Sequence, residues 1–139
     1  MKLRIKANSL RFRLTKGELA EFRENGVVEE RTEFGVAASQ SLVYALVAAD
    51  DIASAQATFV AGRITISLPR AQVGEWTETE LVGIEAEQPL GDGRALRILI
   101  EKDFACLEAR PGDDDSDTFD HPLQNQPANQ PEKHILFEV

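Results

Sequence analysis

Residues 2–14, KLRIKANSLRFRL, alternate apolar and basic side chains with a period of two, and the parity of that alternation flips in the middle. A period of two is the signature of an extended strand with one dry face and one wet face. Leu3 and Ile5 stand at odd positions, whereas Leu10, Phe12 and Leu14 stand at even ones. The chain must therefore turn or bulge around Ala7-Asn8-Ser9. A two-residue hairpin turn, which Asn tolerates well, sets Ile5 opposite Leu10 and Leu3 opposite Phe12, so that every apolar group shares one face. A bulged single strand accounts for the parity change equally well.

The same reasoning organises the chain downstream. Thr15 and Glu18 form a T-x-x-E capping box, Leu14 and Leu19 occupy the staple positions, Leu19 and Phe22 mark a buried face, and Gly26 suits a C-terminal cap. This predicts a helix near 16–25. Strands are predicted near 27–34, 41–48, 55–61, 63–68, 80–88 and 95–107, with a hairpin across Ala61-Gly62 that pairs Phe59 with Ile64. Pro69 opens a short helix near 69–76, because proline is tolerated at a first helical position. Trp76 reads as an anchor at the core edge. Gly91-Asp92-Gly93 reads as a hairpin turn. No internal repeat is evident from the sequence. The fold class is thus α+β: strand-dominated, with a mainly antiparallel sheet, a barrel or a sandwich, and two helices. Residues 1–110 are expected to form a single domain. Residues 111–139 are acidic and rich in Pro, Asn and Gln, and read as a tail whose last residues, HILFEV, add a terminal strand.

Composition narrows the function classes. No apolar run has the length of a membrane span or a signal peptide, so neither membrane nor export is expected. The single cysteine, Cys106, cannot close an internal disulfide, which points to a reducing, cytoplasmic setting. The only histidines, His121 and His134, lie in the tail, so Cys106 reads as a structural thiol. A net charge of −9 argues against general nucleic-acid binding. No cofactor motif is present, and none is expected.

The charge is unevenly placed. Residues 1–16 hold six basic groups and no acid, whereas residues 108–139 hold two basic and eight acidic groups. On a hairpin, Lys2, Arg4, Lys6, Arg11 and Arg13 share one face and could hold phosphate or carboxylate through charge-assisted hydrogen bonds. The plainer reading is a solvated sheet face whose cations pair with Glu29, Arg31 and Glu33 on the next strand. Glu101, Lys102 and Asp103 form an acid–base–acid triplet at a strand end that could line a pocket or protect an edge. Asp113, Asp115 and Asp117 imitate the first ligands of a calcium loop, but Thr118 stands where the loop needs Gly and Gln124 where it needs Glu. A solvated acidic run is the better reading.

Five segments, KLRIKANSLRFRLT, VVEERTEF, EWTETELVGIE, LIEKDFACL and DDDSDTF, resemble a family of small bacterial proteins designated only as a domain of unknown function. The resemblance runs roughly over residues 1–120. It implies a bacterial, cytoplasmic, single-domain protein and brings no activity, substrate or catalytic residue with it. The function these observations favour is a non-enzymatic binding or interaction module whose basic N-terminal face receives an anionic partner. That partner would be a phosphorylated small molecule, an acidic surface of a second copy or another protein, or the chain's own tail. The alternative is a divalent-metal-dependent enzyme acting on a phosphorylated substrate, with Glu85, Glu87, Glu101 and Asp103 holding the cation.

Overall fold

In the computed structural model, residues 1–104 and 117–120 are described. Asp113, Asp115, Cys106, both histidines and the HILFEV segment lie outside the described residues. The order of elements is β1 (Lys2–Lys6), β2 (Ser9–Leu14), α1 (Lys16–Asn25), β3 (Val27–Glu33), β4 (Ser41–Ala49), β5 (Gln56–Val60), β6 (Arg63–Pro69), α2 (Arg70–Glu78), β7 (Gly83–Pro89) and β8 (Ala95–Lys102). This is an α+β fold, strand-dominated as expected, in two four-stranded sheets and without a closed barrel.

The sheets run β1-β2-β8-β7 and β3-β4-β6-β5. The outer pairs of each sheet are antiparallel hairpins, and the two central pairs, β2 with β8 and β4 with β6, are parallel. In the first hairpin Ile5 faces Leu10 and Leu3 faces Phe12, and in the third Phe59 faces Ile64, so both registers follow from the alternation. The residue that takes the left-handed turn conformation is Ala7 (φ 48°). Its neighbour Asn8 instead ties the turn to β8: its side-chain amide donates to the Ala95 carbonyl (2.7 Å) and its carbonyl accepts from Arg97 N–H (3.0 Å).

An internal repeat, invisible in the raw sequence, emerges from the topology. Hairpin–helix–hairpin occurs twice, as β1-β2-α1-β3-β4 and as β5-β6-α2-β7-β8. Each half gives its first hairpin to the sheet completed by the second hairpin of the other half. Once aligned, the dry positions correspond in order: Leu10 with Ile64, Phe12 with Ile66, Leu14 with Leu68, Leu19 with Val73, and Phe22 with Trp76. Ala61 (φ 49°) repeats the turn conformation of Ala7. Phe22 and Trp76, each at 0% exposure, meet where the helices cross, with ring centroids 6.4 Å apart. Truncating either ring to alanine would cost about 3–5 kcal/mol of core packing.

The two sheets approach each other at two seams that carry side-chain contacts. At one, the Gln88 amide accepts from Ala57 N–H (2.6 Å) and donates to the Ala57 carbonyl (3.0 Å), imitating a neighbouring strand. At the other, the Met1 amine meets Glu18 and Glu30 (3.0 Å to Glu30), and Tyr44 Oη donates to the Met1 carbonyl (3.0 Å). Burial alone would lower the Met1 amine's pKa, but the two carboxylates raise it. For Glu18, burial pushes upward, and the Met1 amine and Thr15 outweigh it, so the carboxyl titrates below its usual range.

The N-terminus of α1 is capped twice. Glu18 N–H donates to Thr15 Oγ1 and Thr15 N–H to Glu18 Oε1 (2.9 Å), the reciprocal box read from the sequence. Asp117 completes the set, its carbonyl accepting from Lys16 N–H (2.9 Å) and its Oδ1 from Gly17 N–H (3.1 Å). Gly17 permits this approach, since a Cβ there would lie 3.0 Å from Asp117 Oδ2. Phe119 follows, its N–H bonded to the Asp103 carbonyl and its ring against Phe104. Replacing Thr15 with alanine should cost on the order of 1 kcal/mol. Asp117→Ala should cost a comparable amount, measured as shifts of the urea midpoint. An unchanged midpoint in both variants would mean that these caps do not hold the helix.

Candidate functional site

Because β2 pairs with β8, the outer face of the first sheet carries residues from both ends of the described chain. Arg4 lies directly opposite Arg11, and Lys2 directly opposite Arg13. Continuing across the sheet, Arg11 neighbours Leu99 and Arg13 neighbours Glu101, while Leu99 faces Glu85 and Glu101 faces Gly83. All of these positions share the face opposite the core, whose own row runs Leu3–Phe12–Ile100–Ile84. The sequence-predicted cations Lys2, Arg4, Lys6, Arg11 and Arg13 are therefore brought together, as the hairpin reading requires.

Their expected partners are not those of the plainer reading. Glu29, Arg31 and Glu33 lie on β3, in the other sheet, where Glu29 accepts from Arg63 (3.1 Å). The free edge of β2 is occupied by β8, so the strip's carboxylates are Glu101 and Asp103. Arg11 Nε lies 3.4 Å from Glu101 Oε1, and Lys2 Nζ lies 2.9 Å from Asp103 Oδ2. Both acids are only 3% exposed. Gly83 lets β7 and β8 lie close here: a Cβ at Gly83 would come 2.5 Å from the Ile100 carbonyl oxygen and 3.1 Å from Glu101 Cγ. Lys102 leaves this group. It points to the opposite side of β8, where Nζ donates to the Thr79 carbonyl (2.7 Å) at the end of α2 and lies 5.6 Å from the Phe119 ring centre.

Burial governs the electrostatics. It raises the Glu101 carboxyl above its ordinary range, against the pull of Arg11 and Arg13, and Glu85 adds to the rise. Burial likewise lowers Arg11, helped by the repulsion of Arg13 and Arg4 and opposed by Glu101 and Asp103. Like charges placed directly opposite one another across a hairpin destabilise it. This face therefore concentrates positive charge at some expense to the fold.

Two hollows open on the face. One, of about 380 Å³, is lined by Lys2, Leu3, Arg4, Arg11 and Arg13. The second, of about 550 Å³, shares Arg11 and extends over Leu99, Leu81 and Val82 to Glu85 and Arg97. Arg97 and Leu99 had escaped the sequence reading, although their alternation with the buried Ile98 and Ile100 marks them as outward-facing. The acids proposed for a metal are dispersed among cations: Glu85 accepts from Arg97 (2.9 Å), Glu101 pairs with Arg11, and Asp103 with Lys2. Among the described residues, no group of three or more His, Cys, Asp or Glu side chains could hold a metal ion. Of the three tail aspartates, Asp117 is committed to the helix cap. Among the described residues, no helix is long and apolar enough to cross a membrane.

The class defined by this geometry is a hairpin-exchanged, two-sheet α+β domain with one cation-lined sheet face. The chain belongs to a family of unknown function, DUF7009, whose model matches residues 1–123. The resemblance to a domain of unknown function is thereby borne out. No curated protein and no solved structure matches the chain.

Glu101 sets a pH dependence. A carboxyl whose pKa is raised by folding contributes stability that is fully present below its unfolded value of about 4.5 and is lost as pH rises through the folded value. Glu101→Gln removes that contribution. The variant should gain on the wild type as pH is raised from 4.5 upward, read as the difference between their urea-unfolding free energies. A difference that stays constant with pH would show that the carboxyl titrates normally.

Proposed function

We propose that the outer face of the β1-β2-β8-β7 sheet is a binding site for an anion and that the protein acts as a non-enzymatic binding module. The observation that carries this reading is the contrast between the two halves of the repeat. The dry positions of β1-β2 and β5-β6 correspond apolar for apolar, so both hairpins do the same work in the core. Their wet positions differ completely. Where the first hairpin sets Arg4 opposite Arg11 and Lys2 opposite Arg13, the second sets Thr58 opposite Thr65 and Gln56 opposite Ser67. The second hairpin carries a single cation on this face, Arg63 opposite Val60 and paired with Glu29, so the fold is built once without a cluster of five, and the cluster in the other hairpin answers to something besides folding.

The hollow is lined by Lys2, Arg4, Arg11 and Arg13, and charge-assisted hydrogen bonds from arginine suit the oxygens of phosphate or carboxylate. Among the described residues Arg4 and Lys6 have no carboxylate within ion-pair distance, so an incoming anion would not have to displace one from them. Of the four acids that an enzymatic reading would require, Glu85, Glu101 and Asp103 are already paired with cations, and no observation favours that reading further.

Arg4→Thr copies the Thr58 of the sister hairpin. It should weaken binding of tripolyphosphate about tenfold in low salt, and the gap should narrow as salt screens the interaction. Its melting temperature should stay level or rise, because the variant relieves the Arg4–Arg11 repulsion. Equal tripolyphosphate affinity in variant and wild type at low salt, measured by titration calorimetry, would refute the assignment of this face.

A further inference from the structure

The second hollow specifies what kind of anion the first would take, an inference that rests on the anion-binding reading. Across the sheet the outward row runs Arg4, Arg11, Leu99, Glu85, one residue per strand. With strands about 4.8 Å apart, Leu99 lies about 10 Å from Arg4. The character of the surface changes along that row. The 380 Å³ hollow is lined by four cations and Leu3, whereas the adjoining 550 Å³ hollow is lined by Leu81, Val82, Ile84 and Leu99 as well as by Glu80, Glu85, Glu101 and Arg97. Arg11 belongs to both.

This gradient selects against two simple ligands. An inorganic anion would fill only the cationic half and leave the apolar floor wet. An extended polyanion would have to run over Glu101 and Glu85, whose negative charges repel it. A ligand that satisfies the whole surface has an anionic head and an uncharged, ring-sized body. Glu101 also lines the second hollow, but its Oε1 is buried against Arg11 Nε, 3.4 Å away, so its charge stays with Arg11.

We propose that this face binds a phosphate monoester of a ring-bearing body, of the size of a nucleoside monophosphate. The phosphate sits between Arg4 and Arg11, and the body lies on Leu99 and Leu81 beside Glu101. Burial of the body on the leucines strengthens binding beyond what the phosphate alone provides.

Calorimetric titrations of the full chain with inorganic phosphate, tripolyphosphate and adenosine 5′-monophosphate test the idea. The monophosphate ester should bind at least tenfold more tightly than inorganic phosphate. Leu99→Ala should remove most of that gain while leaving inorganic phosphate affinity unchanged. Leu81→Ser, in the loop before β7 and 39% exposed, should act in the same direction without disturbing the sheet. Equal affinity for the ester and for inorganic phosphate would overturn the proposal and leave the anion site standing, as would a gain that neither leucine variant reduces. Failure of all three ligands, tripolyphosphate included, would instead overturn the anion-binding reading on which the proposal depends.

Discussion

The parallel pairing of β2 with β8, and its counterpart between β4 and β6, is the constraint on which the rest of the molecule depends. Parallel neighbours cannot be joined by a tight turn. Here each parallel pair joins a strand of one half-repeat to a strand of the other, so neither half can complete a sheet alone. The helices are placed by the same exchange: each follows directly on a central strand, and they meet through Phe22 and Trp76. Most of the fold's decisive contacts are therefore distant in sequence, and loop-closure entropy must be met before they form.

That exchange also builds the candidate site. The basic hairpin at one end of the described chain would be a bare edge without β8. Pairing brings Glu101 and Asp103 beneath Arg11 and Lys2, and it sets Leu99 beside Arg11. The cations are thus only partly neutralised, by buried acids, and burial opposes the ionisation of Glu101. Repulsion within the hairpin and desolvation of Glu101 both weigh against the folded state. The sister hairpin avoids the repulsion with threonine, serine and glutamine. A face that tolerates such costs in one half, where the other half avoids the repulsion, is the physical basis for reading it as a place where an anion is received.

The remaining features secure this arrangement at its margins. Gln88 and the Met1 amine hold the two seams through side-chain and terminal groups, where a continuous ladder would have closed the sheets into a barrel. Asp117 and Phe119 lie against α1 and the end of β8, satisfying two helix N–H groups and covering Lys102 with an aromatic ring. Asp117 had looked from the sequence like part of a calcium-loop imitation. Its contact with Gly17 spans 100 residues of the chain and leaves no local mark.

Local chemistry was legible in the sequence wherever neighbours along the chain decide the outcome. Period-two alternation and the parity flip offered the first hairpin and its register, beside a bulged strand, Thr15 and Glu18 marked where α1 begins, and the hairpin reading put the five cations on one face. Alternation could say which side chains point away from the core, yet it could not say which strand lies alongside. The acids of β3 therefore looked like natural partners for the strip, while the true partners, Glu101 and Asp103, come from β8. The repeat was hidden for a related reason: the two halves share mostly the apolarity of their dry positions, and the wet positions of their first hairpins differ throughout. Arg97, Leu99 and the hollow beside Arg11 exist only because a strand from the second half lies against the first. Strand alternation and helix capping act over a few residues and can be read in order; sheet partnership is set by which apolar faces can be buried together, and only the tertiary structure decides that.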